Sequence, residues 1–330
     1  MAKHIQAIDL RAKERNLINE IPLPAPYSLY VEPTSLCNLR CAFCPTGDKV
    51  LRQQRPNGLM PYSLWCKIVN DLRDWGVKLR KVNVYKDGEP LVHRQFPDMI
   101  RYMKDAGVSD AIWTKTNGLS LTPFLNDRIA KCGLDMIGIS VQHVNPDGYK
   151  QIADVRIDYE KFVANIADLY NRREGMKVYI KIADSGLSEA DKRKFYDDFS
   201  PIADYVAVEQ LHGWAASDAK DFTLGTNPTT FEGAPLVDKI VCPLPFYMLG
   251  INWNGTVSLC NEDWRHETIV GDLNRQTIRE VWEGDALKRM RMMHLEGRRG
   301  ENSMCRNCNY LRTLIDNLDS KRKELARRIA

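Results

Sequence analysis

The sequence predicts an α/β fold: a parallel sheet of six strands covered by helices, then a smaller cysteine-bearing α+β unit. Three observations predict it. Between residues 27 and 212, short β-prone runs alternate with amphipathic helical stretches, the pattern of parallel βαβ units. The six repeats fall short of the eight that close a TIM barrel. After residue 240 the alternation stops, and a hairpin signal at Asn254-Gly255 and four cysteines take its place.

Residues 1–26 are polar and charged, then proline-rich from Ile21 to Pro26. They read as a short helix and a linker packed on the outside of the next domain. Strands are expected at Ser28–Glu32, Lys81–Tyr85, Ala111–Lys115, Met136–Val141, Lys177–Ala183 and Tyr205–Glu209. Tyr62–Trp75 is a helix with Leu64, Ile68, Leu72 and Trp75 on one stripe, Pro61 at its start and Gly76 past its end. Further helices are expected at Gln95–Ala106, Pro123–Cys132, Tyr159–Arg172 and Glu189–Phe199. Residues 213–239, with Gly213–Asp218 and Gly225–Pro228, read as a linker crossing the sheet's mouth. A helix near Ile278–Met293 and a charged amphipathic helix at Thr313–Ala330 complete the chain, the latter's basic residues forming a solvated face. The expected partition is an extension (1–26), the βα domain (27–212), the linker (213–239), the cysteine-bearing unit (240–310) and a terminal helix (311–330).

Apolar residues make up 44% of the 330, enough for a substantial core, and the net charge of +4 does not by itself argue for nucleic acid. No apolar run approaches the ~18 residues of a membrane span. Met1–Gln6 lack a signal peptide's apolar centre. Nine cysteines without an export signal point to a reducing cytoplasm and to metal ligation in place of disulfides.

The chemistry is concentrated in Glu32-Pro33-Thr34-Ser35-Leu36-Cys37-Asn38-Leu39-Arg40-Cys41-Ala42-Phe43-Cys44-Pro45, a C-x3-C-x2-C loop after the first strand. Three thiolates on one loop hold three corners of a cubane iron–sulfur cluster and leave one iron open, and an open position separates catalytic from structural metal sites. A zinc knuckle or three core thiols is the bland alternative. This loop resembles that of the radical S-adenosylmethionine (SAM) superfamily. The resemblance implies an open partial TIM barrel, (β/α)6, whose [4Fe–4S] cluster is held by Cys37, Cys41 and Cys44. It also implies that the open iron chelates SAM, whose reductive cleavage yields a 5′-deoxyadenosyl radical that takes a hydrogen atom from substrate. Phe43 would lie beside the adenine.

The second strand runs into Lys86-Asp87-Gly88-Glu89-Pro90. The family has Gly-Gly-Glu-Pro here for SAM's amino group, so Gly88, Glu89 and Pro90 match, while Asp87 adds a carboxylate close to the site. An ordinary Asp-Gly turn is the alternative. Thr116 and Asn117 at the third strand's end would face the ribose, or merely close an Asn-Gly turn. Ser140 aligns with a family serine contacting SAM, and Arg156 lies near a family arginine for the SAM carboxylate. Lys181 points inward or outward with the pleat. Trp214 and His212 are candidates for substrate contact. Cys132 falls on an apolar helix face and Cys66 on a helix flank, both better suited to packing than to hydrogen-atom donation.

Cys242, Cys260, Cys305 and Cys308 form a second set, closed by four thiolates and suited to zinc or a fully ligated cubane. The C-x12-G-x4-C hairpin followed by C-x2-C resembles the auxiliary-cluster region of SPASM and twitch enzymes. With no cysteine after Asn309, the resemblance implies the shorter, twitch-like form with one auxiliary [4Fe–4S] cluster. Relatives of this layout act on aminocyclitols and sugars. The expected activity is oxidation of a small polar alcohol to a ketone, with the auxiliary cluster as electron acceptor and Lys181, Asp87 or His212 as base. The resemblance further implies a flavodoxin or ferredoxin as electron donor, while the small net charge and the lack of a long apolar run lead to the expectation of no nucleic acid or membrane partner. Sugar epimerisation or dehydration, peptide modification and a non-enzymatic zinc module remain as alternatives.

Overall fold

The computed structural model describes residues 2–5, 17–215, 220–224, 229–230 and 235–330. Among them, ten strands form one sheet. In chain order they are β1 (Lys3–His4), β2 (Ser28–Val31), β3 (Lys81–Asn83), β4 (Ile112–Thr116), β5 (Met136–Val141), β6 (Lys177–Ala183), β7 (Tyr205–Glu209), β8 (Met248–Ile251), β9 (Thr256–Ser258) and β10 (Ile269–Asp272). Their order across the sheet is β1-β7-β6-β5-β4-β3-β2-β8-β9-β10. Strands β2 to β7 are parallel, each beside its successor. Their two edges do not meet: β1 pairs with β7 and β8 with β2, both in parallel. The open six-stranded barrel is therefore present, and the cysteine-bearing unit continues its sheet.

Alternate residues sort the two faces of the barrel. Leu29, Val31, Val82, Ile137, Ile139, Val178, Ile180 and Val206 belong to one buried apolar cluster with the covering helices. The opposite, inner face carries Met136, Tyr179 and Ala207, packed with Trp113, Tyr205 and the N-terminal Ile5. Further along the same face toward the strands' carboxyl ends, Ser140 lies in register with Lys181, one pleat beyond Tyr179. This end is where ligands bind in open parallel sheets.

The helices are α1 (Leu17–Glu20), α2 (Tyr62–Trp75), α3 (Phe96–Ala106), α4 (Pro123–Ala130), α5 (Pro146–Ala153), α6 (Tyr159–Arg172), α7 (Glu189–Phe199), α8 (Ile278–Trp282), α9 (Asp285–Leu295), α10 (Ser303–Arg306) and α11 (Arg322–Ile329). In α2 the stripe Leu64, Ile68 and Leu72 is buried, joined by Trp65 and Val69. Gly76 ends it at φ 73°, the left-handed region that favours glycine. Helix α5 is not among the elements expected from the sequence. The Asn145 side chain accepts the Gly148 N–H at 2.8 Å with proline in the first turn, which starts it.

Two other expectations change. The helix near 278–293 is split into α8 and α9 at Gly284, which is extended at ψ 155°, and where a Cβ would stand 2.6 Å from the Glu280 carbonyl. The terminal helix shortens to α11. The Asp319 carboxylate accepts the N–H groups of Ile240 and Val241 at 2.9 Å each, and the Lys239 ammonium takes the Leu311 carbonyl at 3.2 Å. These tertiary bonds draw the backbone into short turns at Tyr310–Thr313 and Asp319–Lys321. Helix α1 packs through Leu17 with Val241, Phe246, Leu295 and Leu325 of the C-terminal unit. The remainder of the expected N-terminal helix, and linker residues 216–218 and 225–228, lie outside the described residues. Among the described residues no helix is long and apolar enough to cross a membrane.

Leu72→Ala removes a side chain of zero exposure from the face of α2 and should cost about 2–5 kcal/mol, read as a lower urea midpoint. Arg73→Ala, next in sequence but exposed, should stay within about 0.5 kcal/mol.

Candidate metal centres

The three-thiol loop leaves the carboxyl end of β2 and is held from both sides. Within it, Cys44 N–H donates to the Cys41 carbonyl at 3.1 Å and Gly47 N–H to Cys44 at 3.0 Å. Arg40 and Ala42 donate to the carbonyls of Ala153 and Ile152, at 3.1 and 2.8 Å, so the unexpected α5 anchors the loop. Gly47 passes so close that a Cβ would stand 2.4 Å from the Cys41 carbonyl. Burial, then the other thiols, pushes Cys41 well up, and burial with Glu89 and Cys44 pushes Cys37 to about 12. Cys44 is raised too, by burial first. Such a donor set gives up its protons only to a strongly cationic centre, as thiols do on binding metal. Two amides border it: Asn117 Nδ2 lies 4.0 Å from Cys37 Sγ, and Gln142 Oε1 3.5 Å from Cys41 Sγ.

Gly88, Glu89 and Pro90 sit against this loop. A Cβ on Gly88 would stand 2.1 Å from the Thr34 carbonyl, so only glycine fits, and Glu89 N–H donates to Leu36 at 2.8 Å. The buried Glu89 carboxylate accepts from Leu91 N–H (3.0 Å), Thr116 Oγ1 (2.7 Å) and Asn117 N–H (2.6 Å). Burial raises its pKa against those bonds. Pro90 opens a short turn, Pro90–Val92, which Glu89 caps. Glu89, Thr116 and Asn117, expected as separate contacts, thus form one brace tying β4 to the turn after β3 and, through Asn117 Nδ2 to Asn38 Oδ1 at 2.7 Å, to the thiol loop.

Asp87 departs most from expectation. It does not face the opening beside Gly88. Its side chain is 1% exposed, with Oδ2 2.5 Å from Lys86 Nζ and 2.9 Å from Arg55 Nη1. Burial works to raise its pKa, but Lys86, Arg55 and His266 outweigh it and hold the carboxyl well below the usual range. A group so placed is a poor base. Glu32 and His266 complete the cluster, with His266 Nε2 3.6 Å from Glu32 and 3.5 Å from Asp87, and His266 at φ 57°.

The second set is gathered as the hairpin predicts. β8 and β9 are antiparallel around Gly255, at φ 89°. Cys242, Cys260 and Cys305 are raised by burial and then by neighbouring thiols of the set, Cys305 to about 12, while burial and Glu262 push Cys308 to about 11. Asn302 caps α10 by accepting from Cys305 N–H at 3.1 Å, and the Arg299 guanidinium donates to the Cys305 carbonyl. All nine cysteines are free thiols, and sets of three and four such soft donors are what iron–sulfur clusters take as ligands.

The remaining candidates are dispersed. Lys181 lies on the inner face, 2.5 Å from Glu209 Oε2, and Tyr179 donates its hydroxyl to the same carboxylate at 2.5 Å. Ser140 is its register neighbour. His212 is half-buried three residues beyond β7. Phe43 is half-buried, and its carbonyl accepts the Trp214 indole N–H at 3.1 Å. Arg156 is not brought to the thiols. The chain leaves α5 through Asp154 at φ 55°, and Arg156 turns to solvent, 76% exposed and 3.8 Å from Asp147. Cys132 is 2% exposed, its thiol 3.1 Å from the Ile129 carbonyl. Sequence reasoning assigned no role to Arg55, Glu32, Gln142 or His266; Glu32, at the head of the thiol stretch, and Gln142, at the end of the expected fourth strand, were the most findable.

The chain matches the radical SAM superfamily over residues 31–184 and the iron–sulfur cluster-binding SPASM domain over residues 242–309. A probable GTP 3′,8-cyclase of Methanococcus maripaludis is 33% identical over 119 residues, covering 36% of this chain and 37% of that protein. An S-adenosyl-L-methionine-dependent 2-deoxy-scyllo-inosamine dehydrogenase of Niallia circulans is 29% identical over 113 residues, 34% of this chain and 45% of that protein. The chain therefore spans less than half the length of these curated relatives. The crystal structure of BtrN in complex with AdoMet and 2-DOIA superposes with a TM-score of 0.56 over 88% of this chain and 94% of that one, at 19% identity, a likeness of fold.

Anaerobically reconstituted protein should hold about eight irons per chain and no stoichiometric zinc, and the Cys305→Ala/Cys308→Ala variant about four. Elemental analysis reads both. Gly88→Ala should lose the irons of the first set, since its Cβ displaces the loop that presents the thiols.

Proposed function

Because the chain belongs to the radical SAM superfamily of enzymes and carries a SPASM domain, we propose that it oxidises a secondary alcohol on a small polar substrate, a sugar or an aminocyclitol, to a ketone. Cys37, Cys41 and Cys44 would hold one [4Fe–4S] cluster, and Cys242, Cys260, Cys305 and Cys308 the other. When bound, the first cluster with SAM supplies a carbon radical that accepts a hydrogen atom from substrate, and the second supplies a one-electron acceptor. The observation that carries the reading is the complete four-thiol set on the barrel's own sheet: loss of a hydrogen atom and a proton from an alcohol leaves one electron to be housed.

The chain's own residues do the rest. Gly88 and Glu89 brace the thiol loop, and Asn117 and Gln142 border its sulfurs. The inner face presents Lys181, Glu209 and Tyr179, a polar wall suited to a hydroxylated substrate. The Lys181–Glu209 pair takes the hydroxyl proton on the carboxylate while the ammonium orients the oxygen; Asp87 is too firmly paired to do so. Epimerisation, which needs a donor thiol, gains little support, because Cys132 is buried in contact with a helix carbonyl and Cys66 lies on α2. A flavodoxin or ferredoxin would supply electrons, and the cytoplasm is the fitting compartment for such centres.

The test is anaerobic incubation with SAM, reductant and a panel of aminocyclitols, sugars and peptides, scoring 5′-deoxyadenosine and ketone. A substrate deuterated at the carbinol carbon should pass its label to 5′-deoxyadenosine. Solvent deuterium appearing at an inverted carbon, or turnover with peptides alone, would sink the reading. Glu209→Gln should lower ketone formation about 10²–10⁴-fold while SAM cleavage continues.

A further inference from the structure

A cluster of buried charges among the described residues has no role in that reaction. The side chains of Arg55, Glu32, Asp87, Lys86 and His266 are each at most 2% exposed. Removing so many ions from water is costly, and an apolar core of the same volume is often as stable. A metal ion is one conceivable reason, because ligand atoms of Glu32, Asp87 and His266 lie within 4.8 Å of one another. Arg55 and Lys86 argue against it: both already sit on Asp87 Oδ2, and an added cation would face two fixed positive charges.

The position of the cluster suggests a different role. Arg55 donates to Thr46 Oγ1 at 2.8 Å and to the Ser35 carbonyl at 3.4 Å, on either side of the three thiols. Its other terminal nitrogen donates to the Trp264 carbonyl at 3.1 Å, four residues past Cys260. Thr46 in turn donates to the Asp87 carbonyl at 2.8 Å, and Lys86 to that of Asp263 at 2.9 Å. Among the electrostatic influences on Cys44, Asp87 and Arg55 act with opposite signs, and Asp263 acts on Cys260 and Cys305. The charges therefore stand between the two thiol sets, out of reach of solvent screening.

We propose that Arg55 and Asp87 are positioning residues that clamp the three-thiol loop to the four-thiol unit and set the reduction potential of the cluster held by Cys37, Cys41 and Cys44, Arg55 raising it and Asp87 lowering it. The inference rests on the cluster-binding part of the proposed function and on no particular substrate. A positive charge beside the centre favours the added electron, and a negative charge opposes it.

The experiment is an EPR-monitored redox titration of reconstituted holoenzyme without substrate, so failure to find a product leaves it intact. Arg55→Met should shift the first centre to a more negative potential and Asp87→Asn to a more positive one. Arg55→Lys should stay near the wild type, and the Arg55→Met/Asp87→Asn double variant should fall between the single ones. A packing defect has no reason to give opposite signs. Shifts of the same sign, or unchanged potentials in variants that keep their iron, overturn the assignment. If Arg55→Met loses iron, Asp87→Asn against Arg55→Lys decides: a positive shift in the first with none in the second upholds it, and any other result overturns it.

Discussion

Arg55 is where three segments far apart in the sequence are made to meet. Its guanidinium touches the thiol loop, the turn that carries Gly88 and Glu89, and the chain beyond Cys260. A planar guanidinium offers donors in a fixed fork, so pairing both of its terminal nitrogens dictates where those carbonyls and the carboxylate must stand. Gly88 then allows the turn to lie directly on the loop, and Glu89 ties that turn to β4. The first centre is thus built by contacts that reach well outside the cysteine motif.

The two thiol sets share one electrostatic situation. Burial is the largest influence raising each of the seven thiols, and neighbouring thiols deepen it at Cys37, Cys41, Cys242, Cys260 and Cys305. Arg299 works the other way on Cys242, Cys305 and Cys308. The protein spends few cations on sites that crowd so many sulfurs, which fits ligands whose charge is met by iron.

Much of this was legible because it is local. Strands β5, β6 and β7 and helices α2, α6 and α7 fall where hydrophobic spacing puts them, and the cysteine spacings mark out both thiol sets. What was not legible depends on tertiary partners. Asp87 reads as a carboxylate in the site until Arg55 and Lys86 are seen to enclose it. The bonds from Thr116 and Asn117 to Glu89, 27 and 28 residues away, could not be read from the strand end alone. Residues 313–321 carry a helical pattern that Asp319 and Lys239 override with bonds to distant backbone. In each case a long-range polar partner outweighs a local preference of a few tenths of a kcal/mol per residue.

Because β8 lies in register against β2 from Ser28 to Val31, the boundary between the two halves falls along a row of shared backbone hydrogen bonds. A fragment ending before residue 240 would bare that side of β2, an unpaired edge that invites association with other chains. Gene fusions and truncations that treat the halves as interchangeable beads would therefore yield sticky, aggregating products.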